Sequence, residues 1–127
     1  MTIHQEVTLP AAPERVYAVL TSGELFTQAT GGAPASIGAG EGTAFSLFGG
    51  AIQGRVVELV PGERIVQAWR PQPWPAGQYS VVRFTLTREG SGTKLTLDHT
   101  GYPDDQHDHL SAGWASNYFV PLAKYLA

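Results

Sequence analysis

Cysteine is absent from this 127-residue chain, which removes disulfides, thiolate metal sites and a cysteine nucleophile together. Charge is sparse: Asp, Glu, Lys and Arg make up 15% of the residues, the net charge is −3, and the eight Lys and Arg lie scattered. Nucleic-acid binders gather basic residues on one face, so no nucleic-acid partner is expected. No basic stretch followed by an apolar core opens the chain, and no apolar run could span a bilayer. The expectation is a cytoplasmic protein without a membrane partner. The nucleophile pattern G-x-S-x-G and the zinc pattern H-E-x-x-H are both missing. Gly38-Ala39-Gly40-Glu41-Gly42 is followed by no Lys-Ser/Thr, so it reads as a turn rather than a phosphate loop. No cofactor is implied.

What is present suits one globular domain, residues 1–127, with 43% apolar residues and enough length for a single core. Residues 3–9 alternate, with Ile3, Gln5, Val7 and Leu9 on one face, as in a half-buried strand. Pro13 fits the first turn of a helix, and Ser22 fits the cap of a second short helix ending near Ala29. The Gly- and Ala-rich stretch 31–42 is a loop with room for one short strand. Strands are then predicted at 44–48, 52–60, 64–70, 79–88 and 93–100, separated by Gly- and Pro-bearing turns. From Asp105 the period changes. Leu110, Trp114, Tyr118, Leu122 and Tyr125 form a helical stripe over about 20 residues, roughly 30 Å of helix. Pro121 is expected to kink its last turns. The order is one strand, two short helices, a run of strands and a long C-terminal helix. It predicts an α+β domain with a curved antiparallel sheet of about six strands.

Three segments carry a resemblance. They are Leu9-Pro10-Ala11-Ala12-Pro13-Glu14-Arg15-Val16-Tyr17-Ala18-Val19-Leu20-Thr21, then Gly54 to Val66 closing on Trp69-Arg70, then Gly113-Trp114 with Tyr118, Pro121-Leu122 and Tyr125-Leu126. In that order and spacing the chain resembles the START-like (Bet v 1-like, SRPBCC) superfamily, and within it the activator-of-Hsp90-ATPase homologues. Members often carry a Trp at the end of the second short helix, where this chain has Ala29-Thr30. The resemblance implies a helix-grip fold with a hydrophobic pocket under the C-terminal helix. It also implies a chaperone as one candidate partner.

Several residues are candidates for such a pocket. His99 shares a strand face with Leu95 and Leu97, so it points inward, either as a bonded core histidine or as a polar group on the cavity wall. Arg83 falls on the opposite, solvent-directed face of its strand. Trp74 sits in the Pro-rich loop 71–78, either as a lid over a pocket mouth or as surface packing. Trp69 ends the strand before that loop, and Trp114 and Tyr118 lie on the helical stripe. Phe26, Phe45 and Phe84 are core positions that could also line a cavity, as could Phe48. Asp104-Asp105-Gln106-His107-Asp108-His109 has i, i+4 pairs but no three-ligand spacing, and reads as a solvated helix start rather than a metal site.

The favoured function is binding of a small hydrophobic molecule in an apolar cavity walled mostly by Leu, Val and Phe. Its alternatives are an Hsp90-type co-activator and, less favoured, a cyclase- or hydratase-like enzyme on a polyketide-like ring with His99 as acid/base. No residue is assigned as catalytic, and either a monomer or a homodimer is compatible with the sequence.

Overall fold

In the computed structural model, which describes residues 1–127, the alternating segments form a single antiparallel sheet. Its strands are β1 (Thr2–Leu9), β2 (Ser36–Ile37), β3 (Ala44–Leu47), β4 (Ile52–Val60), β5 (Arg64–Pro71), β6 (Ser80–Glu89) and β7 (Gly92–Thr100). The order across the sheet is β1-β7-β6-β5-β4-β3-β2. Consecutive strands from β2 to β7 are neighbours, as short turns dictate. The first strand joins the last, in register from Thr2 opposite Thr100 to Leu9 opposite Thr93. The sheet has seven strands, against about six expected with room for one short strand in residues 31–42. The extra one, β2, is two residues long in a Gly/Ala-rich stretch, too short to leave an alternation.

Two short helices follow β1. In α1 (Pro13–Thr21) the proline occupies the first turn, where its missing N–H breaks no bond, and Val16, Val19 and Leu20 are buried. In α2 (Gly23–Ala29) the Ser22 hydroxyl accepts the Leu25 N–H at 3.2 Å, capping the helix, and Phe26 and Ala29 are buried.

The C-terminal helix, α3, is continuous but not uniform. A 3₁₀ turn (Asp104–Gln106) leads into an α segment (His107–Gly113), a π segment (Trp114–Phe119) and a second α segment (Val120–Leu126). The expected disturbance at Pro121 therefore takes the form of a widened stretch before it. The Val120 N–H reaches Ala115 O, five residues back. This also explains the stripe. Leu110, Trp114, Tyr118, Leu122 and Leu126 are all buried, with Tyr125 half-buried. A four-residue repeat drifts about 40° per step around an ideal α-helix of 3.6 residues per turn. The wider π turn takes back part of that drift and keeps the stripe on the sheet.

Ile65, Val82, Phe84, Leu95 and Leu97 from the sheet meet Leu122, Leu126 and the short helices in one core. These side chains fill the space between sheet and helix that the sequence reading assigned to a Leu/Val/Phe-walled cavity. Besides a more open depression between β1 and α3, lined by Val7, Phe119 and Val120 among others, open volume remains towards the end where β5 enters its Pro-rich loop.

Candidate functional site

At that end a half-open groove of about 760 Å³ lies between α3 and the loop after β5. Trp69, Trp114 and Tyr118 form its floor, Trp74 and Phe48 flank it, and Pro71, Pro73 and Pro75 stiffen one rim. The loop is held by Arg70, whose guanidinium donates to the carbonyls of Trp74, Pro75 and Gln78 and lies over the Tyr79 ring. Tied down this way, Trp74 packs edge-on against Trp69, with ring centroids 6.3 Å apart, and is only 9% exposed. The opposite rim is polar, with Asp105, Gln106, His109 and Asn117 of α3. Asp105 and His109 share it one helical turn apart. No group of three His, Cys, Asp or Glu side chains is placed to hold a metal ion.

Phe48 reaches the groove through unusual backbone. Its φ of +53° is rare for a bulky residue, and Gly49 and Gly50 continue the left-handed run. The ring packs at 5.4 Å from both Phe26 and Tyr118. Together with the π segment that carries Trp114 and Tyr118, this places two local backbone irregularities on facing sides of one groove. Such departures concentrate at functional sites.

His99 lies behind the groove, fully buried, and its tautomer follows from its partners. The Trp114 indole N–H can only donate, and it meets His99 Nδ1 at 3.1 Å, so Nδ1 carries no proton. The imidazole proton is therefore on Nε2, which donates to Ser80 Oγ at 2.8 Å. Ser80 donates in turn to the Trp69 carbonyl at 2.7 Å. This chain ties α3, β7, β6 and β5 together with every polar atom engaged. Burial disfavours the imidazolium and lowers the pKa of His99 from 6.5 to about 4. In front of it, Trp69 Nε1 donates to the Tyr118 hydroxyl at 3.3 Å. Burial pushes the Tyr118 pKa up, against the smaller opposite effect of that bond, so the phenol stays protonated.

Of the residues singled out in the sequence, Trp69, Trp74, Trp114 and Tyr118 meet around the groove. Phe84 lies beneath them, 5.8 Å from the Trp114 ring. Phe26 backs Phe48 and Tyr118 from α2. Phe45 lies away from the groove, against Gly54, where any Cβ would fall 2.7 Å from its ring and 1.8 Å from Ala68 O. Ser80, which fixes the histidine, was not singled out. Its signal was parity, since it shares the inward face of β6 with Val82 and Phe84. Arg83 is on the outer face and pairs with Asp98 at 3.0 Å.

A sheet gripping one long helix, with an aromatic groove at the helix's first half, defines the helix-grip class. The family described as activator of Hsp90 ATPase homolog 1-like protein matches residues 10–127, and the chain belongs to that family. The human activator of 90 kDa heat shock protein ATPase homolog 1 is 33% identical over 112 residues, which are 88% of this chain and 33% of the human protein. The chain thus spans about a third of the length of the curated relatives it matches. An HSP90 activator from Plasmodium falciparum superposes with a TM-score of 0.89 at 25% identity, covering 94% of this chain and 91% of that one. The Aha1 dimer from Colwellia psychrerythraea superposes at 0.81 with 19% identity, over 99% and 96% of the two chains, a likeness of fold alone.

Proposed function

We propose that this domain binds a small hydrophobic molecule in the groove between α3 and the loop after β5. The supporting observation is the groove itself, about 760 Å³ and walled by three tryptophans, Tyr118 and Phe48. Ligand pockets for small molecules span roughly 300–1,000 Å³ and combine apolar walls with a few placed polar groups. The Arg70 staple favours binding by holding Trp74 in place beforehand, which lowers the ordering cost. Native mass spectrometry of the gently purified protein tests the reading. A retained apolar molecule, lost in a Trp74→Ala variant that remains folded, is the expected result. Failure of any apolar probe to bind would sink it.

A second reading, a chaperone co-activator, draws support from the family and from the human and Plasmodium relatives, which are activators of Hsp90. Association with purified Hsp90 and stimulation of its ATPase would establish it, and the absence of both would dismiss it. A cyclase- or hydratase-type reaction has less support. It needs an acid/base at the substrate, and both nitrogens of His99 are engaged by Trp114 and Ser80.

A further inference from the structure

Tyr118 has a hydrogen-bonding capacity that its own protein leaves unused. The residue is 4% exposed, and its hydroxyl takes part in one hydrogen bond, with Trp69 Nε1. An indole N–H has no lone pair to offer, so in that bond the phenol oxygen is the acceptor. The phenolic proton therefore points elsewhere, and no side chain or carbonyl of the chain receives it. Both partners of the bond line the groove. A phenylalanine would fill the same volume without burying a donor that lacks an acceptor, an arrangement that destabilises a fold unless something else completes it.

The charges around the groove narrow what that something is. Its lining contains no Lys or Arg, and its one carboxylate is Asp105. Asp104 and Asp108 lie nearby at the start of α3, where the three carboxylates outweigh the Met1 ammonium on Asp104 and the helix end's partial charge of about half a unit. An anionic ligand is disfavoured there. The rest of the wall is aromatic and proline surface, suited to a ring.

We propose that the groove's ligand is a neutral, ring-containing molecule with a hydrogen-bond acceptor, foremost a carbonyl oxygen, that accepts the proton of the Tyr118 hydroxyl. This rests on the groove being a ligand site and adds what the ligand must carry. Placement of the donor on the π segment, facing Phe48, fixes it at the groove floor rather than at the rim.

The test uses three probes of one shape: α-tetralone, which has the carbonyl; tetralin, which lacks it; and the tetralin carboxylate anion. Binding of each to the wild type and to Tyr118→Phe is measured by calorimetry, with circular dichroism as the check on folding. Comparing the ratio of tetralone to tetralin affinity between the two proteins cancels the greater hydrophobicity of tetralin. That ratio is expected to fall about five- to tenfold in Tyr118→Phe, the net worth of one hydrogen bond. The anion is expected to bind weakest to both. An unchanged ratio, with both neutral probes bound, overturns the carbonyl inference and leaves the groove reading standing. No binding by any probe overturns both. A second measurement needs no variant. The infrared carbonyl stretch of bound tetralone should lie below its value in an alkane, and a stretch at the alkane value contradicts the proposed bond.

Discussion

Asp98 and His99 are adjacent on β7, yet they live in different solvents. Asp98 points out of the sheet, where it bonds His4 Nδ1 at 2.6 Å and Arg83 at 3.0 Å, both more than half exposed. His99 points in and is sealed by Trp114 and Ser80. The pairing of β1 with β7 sets Ile3 opposite His99 and His4 opposite Asp98, so the two polar networks lie back to back across one thickness of sheet. Outside, each group that lost its partner would find water. Inside, a group that lost its partner would have none. The number of hydrogen bonds is similar, and the consequence of breaking them is not.

The largest effect should come from the inner face. His99→Ala strands the Trp114 N–H, removes Ser80's donor and opens a void, and should cost about 4 kcal/mol of unfolding free energy. Asp98→Ala on the outer face should cost under about 1 kcal/mol, and less in high salt. Urea unfolding of both variants at pH 7.5 makes the comparison. Equal losses would show that burial does not separate the two faces as argued.

Acid should act next, and with a defined sign. His99 has a folded pKa of about 4 against 6.5 in the unfolded chain. The unfolded chain therefore binds the proton more readily, and stability rises with pH between those values. The contribution is fully present above about pH 6.5 and is lost as pH falls towards 4, amounting to about 3 kcal/mol at most. Carboxylates titrate in the lower part of this range, so the readout is the difference between wild type and His99→Gln. The variant should show a flatter slope between pH 6.5 and 4.5. Parallel slopes would mean that the imidazole takes up its proton equally in the folded and unfolded states.

How much of this was readable beforehand depends on the range of each interaction. The inward direction of His99 was legible, because a strand's two-residue period ties it to Leu95 and Leu97. So were the Ser22 cap and the Pro13 helix start, which are fixed within three residues of themselves. The partners of His99 were not legible, because Ser80 and Trp114 are brought to it by sheet order and helix placement from 19 and 15 residues away. The groove was half legible. Its tryptophans were visible as surplus aromatic surface. Its position at one end depends on which aliphatic side chains fill the middle, and that is a property of packing rather than pattern. The left-handed Phe48 had only a weak signal, the two glycines after it.

The smallest effect belongs to His4, and it runs opposite to that of His99. Its pKa is raised, first by the hydrogen bond to Asp98 and then by that carboxylate's charge. Partial burial alone would raise the Asp98 pKa, but the bonds from His4 and Arg83 outweigh it and hold the carboxylate below its usual range. A histidine with a raised folded pKa favours the fold below the unfolded value of about 6.5 and loses that contribution as pH rises through the folded one. Two histidines on opposite faces of one sheet thus carry pH slopes of opposite sign. NMR titration of the imidazole Hε1 signals reads both directly. The His4 midpoint should lie above the usual histidine value and drop back in Asp98→Asn, while the His99 signal stays neutral in both proteins until far lower pH. A shift of His99 in the Asp98 variant would mean that the two networks communicate through the strand, and the sheet would no longer count as an insulating layer between them.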